Sequence, residues 1–162
     1  MLKVATDKIH LEYQEAVDIN SGRPQIQLTG RNGTEWQRIL SSAGSTAATL
    51  LLPSSGDYLF VAQEFDIYAL NTHNGEILWQ RHFAEPIWAC HLLSDTDVLV
   101  HLELSLVRLD ASGNERWYFS HSDIITQVQI QSTQLRLQDF DERQFTLDLT
   151  TGHLLSVPRN KA

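Results

Sequence analysis

The 162-residue sequence predicts an all-β fold, a β-propeller-like repeat of about four four-stranded antiparallel blades. Three observations predict it. Residues 69–79, Ala-Leu-Asn-Thr-His-Asn-Gly-Glu-Ile-Leu-Trp, hold an apolar strand, an Asn-Gly turn and a second strand ending in tryptophan, which is the pattern of a β-hairpin with an aromatic anchor. Imperfect copies at residues 107–117 and 145–155 place Gly75, Gly113 and Gly152 at intervals of 38 and 39 residues. Finally, β-branched residues, aromatics and Gly-containing turns dominate, with no sustained helical apolar period.

Taken in order, the first unit holds short alternating runs at 8–14, 15–20 and 24–29, bounded by Ser21-Gly22 and by the turn 30–33, then the run 34–40 with Trp36. The interval from Leu28 to Trp36 matches that from Leu109 to Trp117, which makes 25–40 a worn copy of the hairpin. Residues 16–22 match the first half of the same pattern equally well, so the register of this unit stays open. After a small-residue connector at 41–46 come the runs 47–52 and 57–62, separated by Pro53-Ser-Ser-Gly56, and then the hairpin around Gly75. The third unit repeats this order with 87–93, 98–104 and the hairpin around Gly113; the fourth has 124–131, 135–140 and the hairpin around Gly152. The expected blades are 1–44, 45–84, 85–122 and 123–158 of one domain, with a tail at 159–162.

A single four-stranded sheet cannot bury both faces, so the units must stack on one another. The first strands, 47–52 and 87–93, are nearly all apolar, as strands covered on both sides near an axis would be. Trp36, Trp79 and Trp117 recur at the outer strand, where each can fill the gap between neighbouring sheets and find a backbone acceptor for its N–H. Four units leave three architectures: a small closed ring, an open partial array, or a propeller completed by a homodimer. An open array is expected to expose apolar faces at both ends, which favours pairing or burial against a partner.

Twenty acidic and twelve basic side chains give a formal charge of −8, and no basic cluster exists of the kind that binds nucleic acid through phosphate neutralisation. A basic partner would be steered toward such a surface. Cys90 is alone and cannot form an internal disulfide, the start lacks an apolar leader, and no run approaches the ~18 apolar residues of a membrane span. The expectation is a cytoplasmic protein without membrane or nucleic-acid contacts.

The spacing Ala69-x-Asn71-x-x-Asn74-Gly75-x-x-x-Trp79 resembles the tryptophan-docking repeat of the pyrroloquinoline-quinone-type β-propellers, Ala-x-Asp-x-x-Thr-Gly-x-x-x-Trp. Ala69, Gly75 and Trp79 match it. Asp110, Gly113 and Trp117 match with a shortened turn, Asp148, Thr151 and Gly152 match with Ser156 in place of tryptophan, and Ala16, Asp18 and Gly22 match with Ile26 in that place. The resemblance implies the fold and a structural clamp. It does not imply a quinone site, because members have six to eight units and bind the quinone on the axis of a full ring; no cofactor is expected.

Candidate chemistry is sparse. The seven histidines (His10, His73, His82, His91, His101, His121, His153) form no short ligand pair, and Cys90 and His91 point to opposite faces of a strand, so no metal site is expected. The acidic run with Asp139, Asp141 and Glu142 suits either a carboxylate pair or an ordinary turn. No nucleophile elbow or phosphate loop is present. Aromatic residues near turns, Tyr13, Tyr68, Trp88, Tyr118 and Phe119, suit recognition or packing. The sequence therefore points to a non-enzymatic protein-interaction module, with Asp139, Asp141, Glu142 and Tyr118 as candidate partner contacts. An acidic immunity or inhibitor-type protein neutralising a basic toxin is the alternative, and a quinoprotein-like enzyme or small-molecule sensor the third reading.

Overall fold

The structure is a computed structural model that describes residues 2–5, 9–41, 47–94 and 96–156, with the side chains of 2–5 excepted. The connector beyond Ser41, the expected blade ends at 44, 45 and 158, and the tail lie outside the described residues. The described residues form strands and turns only, arranged as four antiparallel sheets, each with its strands side by side in chain order. Sheet 1 holds β1 (Leu2–Ala5), β2 (His10–Val17), β3 (Pro24–Asn32) and β4 (Thr34–Ser41); sheet 2 holds β5 (Thr49–Leu51), β6 (Tyr58–Gln63), β7 (Asp66–Asn71) and β8 (Ile77–His82). Sheet 3 holds β9 (Ile87–Leu92), β10 (Val98–Leu102), β11 (Ser105–Leu109) and β12 (Glu115–Ser120); sheet 4 holds β13 (Ile125–Gln131), β14 (Gln134–Asp139), β15 (Gln144–Asp148) and β16 (Leu154–Ser156).

Side chains alternate between the two faces of a strand, so a strand's pattern states how many of its faces are covered. Leu11, Ile26 and Leu28 of sheet 1 pack on Leu59, Val61, Tyr68 and Leu70 of sheet 2. From the other face of sheet 2, Phe60, Ala62, Ile67 and Ala69 meet Val98, Val100, Val107 and Leu109 of sheet 3. Leu99 and Leu106 then meet Ile125, Leu135, Leu137, Phe145 and Leu147 of sheet 4. Among the described residues no apolar layer joins sheet 4 back to sheet 1, and the four sheets form an open, propeller-like arc.

The outer faces of the arc correct one expectation. The face of sheet 1 turned away from sheet 2 carries Glu12, Gln14, Gln25, Gln27, Thr29 and Gln37 around one apolar residue, Ile39, and that of sheet 4 carries Gln127, Gln129, Arg136, Gln138 and Gln144. Both end sheets present polar faces to solvent, as capping repeats must if an array is to stop without closing. Among the described residues neither end sheet therefore shows the broad apolar face that argued for a homodimer. A second correction concerns the first strands. β6 and β10 are buried almost throughout, whereas β5 and β9 are half-exposed. β5 and β9 approach each other on the inner side of the arc, where among the described residues no further sheet lies across from them, while β6 and β10 have a sheet on each side.

Candidate functional site

Three tryptophans tie the arc together, each on the fourth strand of one sheet and each seated on the outer turn of the next. Trp36 Nε1 donates to Thr72 O (2.6 Å), Trp79 Nε1 to Ala111 O (2.7 Å) and Trp117 Nε1 to Leu149 O (2.9 Å). The receiving turns are built alike. Asn71, Asp110 and Asp148 accept backbone N–H groups of their own turns through Oδ1, and their carbonyls accept the N–H of Gly75, Gly113 and Gly152. Those glycines stand at φ of 70, 77 and 71°. A Cβ added at Gly113 or Gly152 would lie 2.7 Å from Cδ2 of Trp79 or Trp117, and one at Gly75 would overlap Trp36, so glycine is required both for the backbone and for the ring lying on it.

The tripeptide Trp-Gln-Arg occurs twice, at 36–38 and 79–81, and its arginine completes the clamp. Arg38 Nε donates to Gly75 O (2.6 Å) and Arg81 Nη1 to Gly113 O (3.2 Å). Phe119 stands in that place in sheet 3, and there Arg108 reaches across instead. Its Nη1 donates to Leu149 O (2.9 Å) while its Nε and Nη2 bind the buried Asp97 carboxylate at 2.8 and 2.7 Å. Repetition of Trp-Gln-Arg is the signal in the sequence for this second anchor, and the glycine–tryptophan spacing alone does not contain it.

Both candidate registers of the first unit exist in the structure. Trp36 lies on β4, the outer strand, and docks forward. The turn at 18–23, however, joins β2 to β3, at the opposite end of the sheet from the β3–β4 turn. Its hydrogen bonds reproduce those of the docking turns: Asn20 N to Asp18 Oδ1 (2.8 Å), Gly22 N to Asp18 O (2.8 Å) and Asp18 N to Arg23 O (2.9 Å), with Gly22 at φ 66°.

Among the candidate partner contacts, Asp139 is 1 % exposed and is no surface group. Its carboxylate accepts the Arg143 backbone N–H (2.9 Å) and Nε (2.8 Å) and faces His121 Nε2 at 3.0 Å, fixing the β14–β15 turn. Burial pushes its pKa up, but the bonds from His121 and Arg143 outweigh this and hold it below the usual carboxylate value. Asp141 and Glu142 are exposed in the same turn. Tyr118 is half-exposed, with its hydroxyl 2.8 Å from Ser105 Oγ, which donates to Glu85. Tyr13 and Tyr68 are buried packing residues. Burial pushes the Cys90 thiol up to about 12, far from a reactive thiolate.

A concave surface lies on the inner side, where β5 and β9 converge. A groove of about 320 Å³ is lined by Ala47, Ala48, Thr49, Glu64, Pro86, Ile87 and Trp88. Trp88, 47 % exposed, leans on the buried His101 ring at 5.9 Å between centroids. Burial lowers the His101 pKa against the opposing bond to Ile125, and nearby His91 adds to the fall. The neutral ring donates its Nε2 hydrogen to Ile125 O (2.8 Å) and gives Trp88 a fixed support.

No family model matches the chain, and no curated protein matches it. Solved structures do. BamB from Moraxella catarrhalis is 17 % identical with a TM-score of 0.58 over 98 % of this chain and 50 % of that one. A segment of HIRA is 18 % identical with a TM-score of 0.59 over 96 % of this chain and 52 % of that one. A computationally designed protein is 14 % identical with a TM-score of 0.59 over 95 % of this chain and 59 % of that one. The chain spans about half the length of the first two, and the likeness is one of fold.

Proposed function

We propose that the protein is a non-enzymatic interaction module built from tryptophan-docking repeats of the pyrroloquinoline-quinone-type β-propeller kind, and that it binds a segment of another protein in the groove between β5 and β9. The repeat assignment is supported by the three clamps, in which an indole N–H meets a turn carbonyl and the ring covers a glycine. The binding assignment is carried by one observation: a half-exposed tryptophan held in place by a buried neutral histidine inside an otherwise small-walled groove. An aromatic with few rotamers, already supported from behind, is the kind of residue on which interface energy concentrates.

The test is affinity capture with the wild-type chain and with Trp88→Ala, both checked for unchanged melting temperature, at two salt concentrations. A partner retained by the wild type and lost at least tenfold by the variant supports the groove. Equal retention by both proteins overturns it. A steep fall in capture with salt identifies the partner as basic, which is the charge complementarity that the acidic-inhibitor reading requires.

A further inference from the structure

We propose that the turn at residues 18–23 is an empty tryptophan dock, which receives a Trp-x-Arg strand from a partner protein. The proposal deepens the protein-binding reading in naming a partner class, but it concerns a second surface and does not depend on the groove.

Four turns share one construction: an Asp or Asn whose side chain accepts N–H groups of its own turn, a backbone bond from a glycine to that residue's carbonyl, and a glycine between 66 and 77° in φ. Three of them hold an indole. In those three, the residue before the Asp or Asn (Leu70, Leu109, Leu147) is fully buried, and the one after it supplies the carbonyl that binds the indole N–H. In the fourth, the corresponding residues are Val17, 58 % exposed, and Ile19, 98 % exposed, and among the described residues nothing lies within 4 Å of a Cβ placed on Gly22. Two apolar side chains thus flank a bare glycine and a carbonyl at the spacing that elsewhere seats a tryptophan. Exposed apolar residues are ordinary when scattered singly, whereas these two stand together at the seat.

Position explains why the seat is open. Val17 shares a strand face with Leu11 and Tyr13, which pack on sheet 2, but β2 and β3 run to 8 and 9 residues against 6 each for β6 and β7. The longer hairpin carries its turn clear of that cover. The indoles of residues 1–162 all stand elsewhere. Trp36, Trp79 and Trp117 are engaged, Trp88 stands on β9 in the groove, the connector 42–46 is Ser-Ala-Gly-Ser-Thr, and the last strand has Ser156 where a docking tryptophan would stand. Within residues 1–162 each indole already has a place, and the proposal assigns the seat to another protein. Its chemistry follows from the loaded docks, in which an arginine two residues after the tryptophan donates to the glycine carbonyl.

The probe is a synthetic peptide of residues 76–82, Glu-Ile-Leu-Trp-Gln-Arg-His, titrated into the ¹⁵N-labelled full chain while amide shifts are followed. The expected result is saturable shifts centred on Val17, Ile19 and Gly22, weakened at least tenfold in a peptide carrying Trp79→Ala and several-fold in one carrying Arg81→Ala. The protein variant is Gly22→Asn, because asparagine tolerates the left-handed backbone while its side chain fills the seat. It should keep the wild-type spectrum elsewhere and lose the shifts at least tenfold. No shifts at the turn, equal shifts with the Trp79→Ala peptide, or equal shifts with Gly22→Asn would each overturn the proposal. Shifts at Gly113 or around Trp88 instead would also overturn it, placing the peptide in an existing dock or in the groove. Self-association competed by the peptide and removed by Trp88→Phe would overturn the assignment to a different protein.

Discussion

β10 and β14 occupy the same place, second in a four-stranded antiparallel sheet, and have nothing else in common. Val98-Leu-Val-His-Leu102 is buried at every position, whereas Gln134-Leu-Arg-Leu-Gln-Asp139 alternates exposed and buried along most of its length. The first lies between two sheets and the second has only one neighbour. β7 and β3, each third in its sheet, repeat the contrast, with Ile67-Tyr-Ala-Leu70 against Gln25-Ile-Gln-Leu-Thr29. A repeat unit is specified by its neighbours as much as by its motif. All four sheets share strand order and turn chemistry, and patterning alone decides which of them can stand at an end.

The sharpest way to break that contrast is to exchange the patterns. Leu99→Gln sets an amide against sheet 4 and Val100→Gln sets one against sheet 3's other neighbour, sheet 2. Each removes a fully buried apolar side chain and leaves a polar group without a designed partner, so each should cost more than about 3 kcal/mol in urea unfolding. The reverse exchange on the end sheet, Gln129→Leu, should change stability by no more than about 0.5 kcal/mol. It should instead raise the solution mass with concentration, because it begins an apolar patch on an exposed sheet face. A large stability loss from Gln129→Leu would mean that the outer face of sheet 4 is covered, and the capped-arc reading would fail.

The occupied and empty turns sharpen the same contrast at lower cost. Gly75→Ala meets both a left-handed backbone and the Trp36 ring, and should destabilise by about 3 kcal/mol. Gly22→Ala meets the backbone strain alone, so about 1 kcal/mol is expected. Equal losses in thermal or denaturant unfolding would show that something in the molecule already covers Gly22.

Much of the fold was legible because the hairpin motif encodes its own geometry. Asn-Gly and Ser-Gly turns, the apolar residue before them and the tryptophan after them mark the outer hairpins of three sheets. The end faces were legible too, in the glutamine alternation of Gln25-Ile-Gln-Leu and Gln127-Val-Gln-Ile-Gln, but reading them required asking which strands had one neighbour. Repeat spacing does not raise that question. Asp139 misled for a different reason. An aspartate in an acidic turn resembles a solvated surface group until the register puts Arg143 and His121 around it, and no local pattern states that His121, 18 residues earlier, will be there. The groove at β5 and β9 was illegible for the same cause, since it is assembled from the starts of two sheets that the sequence separates. Trp88 was visible only as one aromatic among five.

The smallest effect concerns the histidine behind that tryptophan, and it separates a middle sheet from its surroundings by titration. His101 on β10 is buried, donates to Ile125 O and has a folded-state pKa below the ordinary 6.5, with His91 on β9 shifted the same way by burial. A histidine held neutral in the folded state binds fewer protons there than in the unfolded chain, so stability rises with pH across this range. Its contribution is complete above the unfolded pKa and is lost as the pH falls from about 6.5 toward the folded value. Melting temperatures measured between pH 7.5 and pH 5 should therefore decline in the wild type. His101→Gln retains a donor for Ile125 O without a titrating ring and should flatten the decline, with His91→Gln removing a further part of it. If His101→Gln left the slope unchanged while Trp88 remained seated by fluorescence, the ring would not be buried neutral, and the support it gives to the groove would have to come from packing alone.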